Sequence, residues 1–154
     1  MQQQEALLGS LQRAIEIALE AHKTQTDKAG ALYILHPLRV MLAQDSDDAR
    51  IVGALHDVVE DCEGWSFDRL RGEGFSETVI EALQSVTKRP KGAEEYPAFI
   101  ARAALNLIGR AVKLADLYDN CDLSRIARPT VEDEARVAKY CRAIAQLDGT
   151  LPRY

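Results

Sequence analysis

The stretch GALHDVVED, residues 53–61, places His56, Asp57, Glu60 and Asp61 among Ala54, Leu55, Val58 and Val59. An unpaired charge costs several kcal/mol to bury, so a chain that turns these groups inward must bring partners to meet them. Read as a helix, LHDVVED sets His56 and Glu60 four residues apart, and Asp57 and Asp61 likewise. Each pair then projects to neighbouring turns of one side. His56 and Asp57 splay by about 100° and can reach one ion between them. Imidazole with carboxylate suits a divalent transition ion such as Mn, Fe, Zn or Ni. The alternative is a polar stripe with a satisfied histidine. For His56 alone that alternative is preferred; for the four groups together, a site is preferred.

The rest of the pattern is helical. Residues 5–22 carry Leu7, Leu8, Leu11, Ile15, Ala18, Leu19 and His22 at spacings of three and four. HPLRVMLAQ opens a helix with Pro37 in its first turn, and DSDDARIVGALHDVVED begins with acidic residues suited to a helix N-terminus. Ser66 and Ser76 are N-cap candidates. Helices over about 97–107 and 109–122 are expected to be nearly continuous. Thr130 and Asp133 form a capping box before a last helix over 131–147. No alternating strand is visible, so the expected fold is all-α, with seven or eight helices in a single domain spanning residues 1–154.

Composition narrows the function. The net charge of −5 argues against nucleic acid, which needs a basic footprint, but allows a small anionic ligand. No apolar run approaches the roughly 20 residues of a membrane span, and the start has no basic n-region or cleavage site. Cys62, Cys121 and Cys141 lack CxxC spacing, which points to structural thiols in a reducing cytoplasm.

More ligands are needed to close a metal shell. YILHPLRV sets His36 at a loop-to-helix junction, where a lone histidine is more often a packing or capping residue. AVKLADLYDN places Asp116 in an apolar helix, with Asp119 and Asn120 one turn on. His22, on the apolar side of the first helix, reads as structural. Gly30 reads as a turn residue.

The order His36, His56–Asp57, Asp116 resembles the HD superfamily of metal-dependent phosphohydrolases. AHKTQTDKAGALYILHPLRV, ALHDVVEDC, VTKR and VKLADLYDN, spread over about Ala21–Asn120, resemble more closely the hydrolase domain of the Rel/Spo alarmone enzymes and the small stand-alone alarmone hydrolases. The resemblance implies a compact helical HD bundle. It also implies that His36, His56, Asp57 and Asp116 bind a divalent metal, usually Mn2+, and that Glu60 and Asp61 orient or deprotonate the attacking water. Lys28 matches a basic position in the loop that packs on guanine, and Asn120 an asparagine against the nucleoside. The implied reaction removes the 3′-diphosphate from (p)ppGpp or a related alarmone such as (p)ppApp.

The chain departs from the pattern at Asp27, where an arginine is usual, at Leu117 in place of arginine, and at Asp119 in place of histidine. These positions bear on which base and how many phosphates are read. An HD-type nucleotide phosphatase or phosphodiesterase, or a non-catalytic nucleotide-binding module, are the alternatives; the intact Glu60–Asp61 pair argues against the last. Lys88, Arg89 and Lys91 in TKRPK, with Arg102, are either a solvated loop or phosphate clamps. Tyr96, Phe99 and Tyr118 are aromatic candidates for stacking, with core packing preferred for Phe99. A small nucleotide is the expected partner, with neither nucleic acid nor membrane; homo-oligomerisation stays open.

Overall fold

The computed structural model describes residues 7–149. The α-helices, in chain order, are α1 (Leu11–Ala21), α2 (Leu35–Leu42), α3 (Asp47–Leu55), α4 (Val58–Asp61), α5 (Phe67–Gly72), α6 (Glu77–Val86), α7 (Tyr96–Ala104), α8 (Leu107–Asn120) and α9 (Val131–Gly149). A 3-10 turn, Leu123–Arg125, lies between α8 and α9. Counting α3 and α4 as one kinked helix gives eight helices among the described residues. The β structure described there is an isolated bridge between Thr26 and Leu32. The fold is all-α, as expected. Among the described residues no helix is long and apolar enough to cross a membrane.

Short polar side chains set the helix starts. Ser10, Ser46, Ser66 and Ser76 each accept the N–H three residues on, at 3.1, 3.2, 3.1 and 3.3 Å. Each such cap contributes about 1 kcal/mol. Ser10 starts α1 at Leu11, after Gly9 turns the chain at φ 66°, so Leu7 and Leu8 precede the helix instead of opening it. Residues 5 and 6 of the expected helix lie outside the described residues. Asn106 accepts from the Gly109 N–H at 2.8 Å and is itself extended, which divides α7 from α8 where near-continuity is expected. The Thr130–Asp133 box forms reciprocally at 2.8 and 3.2 Å.

The main core joins α1, α2, α3, α6 and α8 through Ile17, Val40, Val52, Leu55, Ile80, Leu83 and Val112. A second cluster, Phe99, Ile100, Leu117, Ala143 and Leu147, seats α7 and α9 against α8. Gly53 lets α3 cross closely over α2: a Cβ there would stand 2.9 Å from the Met41 Cα. Gly53→Ala should therefore push the two helices apart at a cost of about 1–3 kcal/mol. An unchanged urea midpoint would show that the crossing yields freely.

Candidate metal centre

The expected continuous helix through LHDVVED is interrupted. α3 ends at Leu55, Asp57 takes φ −104° and ψ −3°, and a single turn resumes at Val58. The cause lies in the local hydrogen bonds. His56 Nδ1–H donates at 2.7 Å to the Gly53 carbonyl, the oxygen that the Asp57 N–H would use in an unbroken helix. The Tyr33 hydroxyl donates to Asp57 Oδ2 at 2.5 Å and holds that carboxylate beside the histidine.

Three helices then converge. His36, in the first turn of α2, lies with Nε2 3.0 Å from Asp116 Oδ1 on α8 and 3.6 Å from Asp57 Oδ2. His56 Nε2 lies 3.1 Å from Asp57 Oδ2 and 3.4 Å from Asp116 Oδ1. Each of His36, His56 and Asp116 presents one ligand atom within 4.8 Å of the others. All three residues are buried. His56 Nε2 is buried with no hydrogen-bond partner, although oxygens of Asp57 and Asp116 stand 3.1 and 3.4 Å away. A buried, unpartnered imidazole nitrogen facing carboxylates is a donor set that a divalent cation can take over, so these residues fit such an ion.

The charge balance supports the same centre. Burial opposes ionisation of Asp116, but Lys113 and the two histidines outweigh it and hold that carboxyl well below the usual range. Lys113 Nζ donates to Asp116 Oδ2 at 2.8 Å, and Asn120 Nδ2 donates to Oδ1 at 2.9 Å. Burial also opposes the Asp57 charge, and His56 overrides it, bringing the carboxyl to about 2. One turn on, Glu60 and Asp61 form a second acidic group with Asp57. Burial, then the Asp57 and Glu60 charges, push the Asp61 carboxyl up to about 6. Glu60 accepts the Lys88 backbone N–H at 2.8 Å, which ties the basic loop to this turn.

A cleft of about 250 Å³ adjoins the centre. Tyr33 and Asn120 line it and also bond Asp57 and Asp116, so they form the wall shared with the buried carboxylates. Lys28, Arg125 and Arg136 bring positive charge to the same cleft.

No protein-family model matches the chain. Among curated proteins, it is 33% identical over 139 residues to the guanosine-3′,5′-bis(diphosphate) 3′-pyrophosphohydrolase of Aquifex aeolicus, covering 84% of this chain and 19% of that one. It is 30% identical over 156 residues to the enzyme of the same name from Vibrio cholerae, covering 87% of this chain and 22% of that one. The chain therefore spans about a fifth of the length of these relatives. Its fold matches the solved structure of a metazoan ortholog of SpoT that hydrolyzes ppGpp, with a TM-score of 0.74 at 23% identity over 91% of this chain and 86% of that one. The chain is a homologue of the Rel/Spo hydrolase domain.

Within this Rel/Spo-like fold the three departures have structural explanations. Asp27 accepts the Ala29 and Ala31 N–H groups, both at 2.9 Å, and so closes its own loop, with Gly30 at φ 85° completing the turn. Leu117 is fully buried in the second core cluster. Asp119 Oδ2 lies 2.6 Å from His36 Nδ1 and is held by Arg39 at 2.7 and 3.0 Å.

Of the expected substrate contacts, the cleft gathers Lys28 and Asn120 and leaves the other three elsewhere. Lys28 is exposed and lies 3.6 Å from Asp133. Lys88 lines a second, basic cleft of about 380 Å³ with Arg89, Lys91 and Lys139. Arg102 bonds Glu94 and the Gln84 and Thr87 carbonyls, which makes it a brace for the loop after α6. Tyr118 borders a separate groove with Arg39 and Asp122. Phe99 is in the core. His22 is buried, bonded through Nδ1 to Gln25 at 2.7 Å and stacked on Tyr33, with Cys62 Sγ 3.4 Å away. Sequence reasoning missed Tyr33, Arg39, Lys113, Arg125 and Arg136. The lysine three residues before Asp116 was the one local signal, since that spacing puts both on one helix face.

Proposed function

We propose that this chain is a metal-dependent hydrolase domain that removes the 3′-diphosphate from (p)ppGpp or a related alarmone such as (p)ppApp, in the cytoplasm and with Mn2+. The observation that carries the reading is the convergence of His36 and His56 Nε2 with Asp116 and Asp57, one turn from Glu60 and Asp61 and beside a cleft with three basic side chains. His36, His56, Asp57 and Asp116 would hold the ion, which supplies Lewis-acid chemistry and lowers the pKa of water towards neutrality. The names of the long relatives favour the same substrate.

The chain's own groups divide the remaining work. Asp61, with a carboxyl near 6, is ionised at neutral pH and basic enough to take a proton from the attacking water. Glu60, anchored to the Lys88 N–H, orients that water. Asn120 and Tyr33 line the approach for the nucleoside, and Lys28, Arg125 and Arg136 attract its phosphates.

The test is to incubate Mn2+-loaded protein with ppGpp and ppApp and assay pyrophosphate. Release of GDP or ADP with pyrophosphate is the expected result. Orthophosphate alone from a nucleotide panel would favour a nucleotide phosphatase, a reading that Asp27 and Asp122 on the cleft wall keep in view. The activity should fall as pH drops below about 6, because the raised Asp61 carboxyl then takes up its proton. Asp61→Asn should remove that acid limb together with most of the rate, by about 10²–10⁴-fold. A pH profile unchanged in Asp61→Asn would assign the base elsewhere.

A further inference from the structure

We infer that Asp119, clamped by Arg39, is a positioning residue that ties the outward nitrogen of His36 and so fixes the ring with Nε2 facing the centre. The inference rests on the metal-site reading above. It gives a role to a position where the resemblance leads one to expect histidine.

The argument follows from donor and acceptor capacity. Arg39 donates to both Asp119 oxygens, from Nε at 2.7 Å and Nη2 at 3.0 Å, and the Arg125 guanidinium stands 3.5 Å off. A guanidinium only donates, and a carboxylate so held only accepts. The 2.6 Å contact between Asp119 and His36 Nδ1 is therefore made by an Nδ1–H. The other nitrogen, Nε2, lies at hydrogen-bond distance from Asp116 Oδ1, at 3.0 Å, and 3.6 Å from Asp57, where an ion would take the place of its proton. His56 is arranged the same way by a different acceptor: its Nδ1–H is taken by the Gly53 carbonyl, and its Nε2 faces the same two carboxylates. Both rings thus have the outward nitrogen tied and the inward nitrogen turned to the carboxylates, one by main chain and one by a side chain that substitution can change. Partners of this kind hold ring orientation and ligand basicity at metal-binding histidines.

Asp119→Asn is the informative change. Arg39 would draw the amide oxygen, turning the NH2 towards His36 Nδ1. The ring would then place its proton on Nε2, where it blocks an ion. Two readouts decide the matter. Long-range 1H–15N correlation spectra of the metal-free protein at mildly alkaline pH report which His36 nitrogen carries the proton. Titration with Mn2+ against a competing indicator gives affinity. Wild type should carry a proton on Nδ1; Asp119→Asn should lose it, keep only Nε2–H and bind Mn2+ about 10–100-fold more weakly. Arg39→Gln, which loosens the clamp without touching the histidine, should weaken binding in the same direction by less. An Asp119→Asn protein with Nδ1–H retained and Mn2+ affinity within about twofold of wild type would overturn the inference. If wild type itself takes up no Mn2+, the metal-site reading fails, while the tautomer comparison still decides whether Asp119 governs His36.

Discussion

Asp57→Ala is expected to abolish pyrophosphate release from ppGpp while leaving helix content unchanged. Asp57 Oδ2 is the oxygen closest to the His56 Nε2 and also faces His36, at 3.1 and 3.6 Å. It sits where α3 breaks, so removing it takes away a proposed ligand without opening the apolar core. Loss of a residue that merely supports a ligand costs about 10–100-fold, so loss of a ligand should cost at least about 100-fold in kcat/KM. Asp57→Asn keeps an acceptor for the Tyr33 hydroxyl and should be nearly as inactive. That companion separates the lost charge from the lost tether. Pyrophosphate release by Asp57→Ala at more than a tenth of the wild-type rate would contradict the assignment.

The second large effect concerns stability. Lys113 is buried, donates to Asp116 at 2.8 Å and lies 4.9 Å from the Phe99 ring centre. Burial opposes its charge, yet Asp116 more than compensates and raises its pKa above the ordinary lysine value. Lys113→Met would leave Asp116 buried beside Asp57 with one positive partner fewer. Breaking a buried pair by removing one partner costs about 3–5 kcal/mol, which corresponds to a fall of roughly 10 °C in the unfolding midpoint. A divalent ion at the centre would return much of the missing charge, so added Mn2+ should recover more stability in Lys113→Met than in wild type. Equal recovery in both would show that Lys113 and the ion do not act on the same carboxylate. The sign with pH follows from the depressed Asp116 carboxyl. Its contribution is present above the ordinary carboxylate pKa and is lost as acid titrates the folded group. The Lys113→Met deficit should therefore shrink in acid.

Most of the architecture could be read from local pattern. Ser66, Ser76, Thr130 and Asp133 act as the caps their positions suggest. The ordered set His36, His56–Asp57 and Asp116 pointed to four residues that the fold does bring together from α2, the α3–α4 kink and α8. The kink itself was hidden, because it depends on His56 taking the Gly53 carbonyl and on Tyr33 reaching Asp57 from 24 residues away. Neither leaves a trace in periodicity.

The departures at Asp27, Leu117 and Asp119 looked like the place where substrate is chosen. In the fold, Asp27 closes a loop, Leu117 packs in a core and Asp119 ties His36 to Arg39. Beside Asp27, Lys28 and Asp122, the cleft also gains Arg125 and Arg136, which lie beyond the recognisable motifs.

What the sequence by itself determined is the helical period, the caps and the identity of the four residues proposed to hold an ion. These depend on interactions within a few residues or on side-chain chemistry alone. Only the tertiary structure decided that Asp116 meets both histidines, that Tyr33 holds Asp57 and that Asp119 ties the His36 ring. Those outcomes are set by groups 24 to 83 residues apart, and hydrogen bonds fall off too steeply with distance and angle for spacing along the chain to specify them.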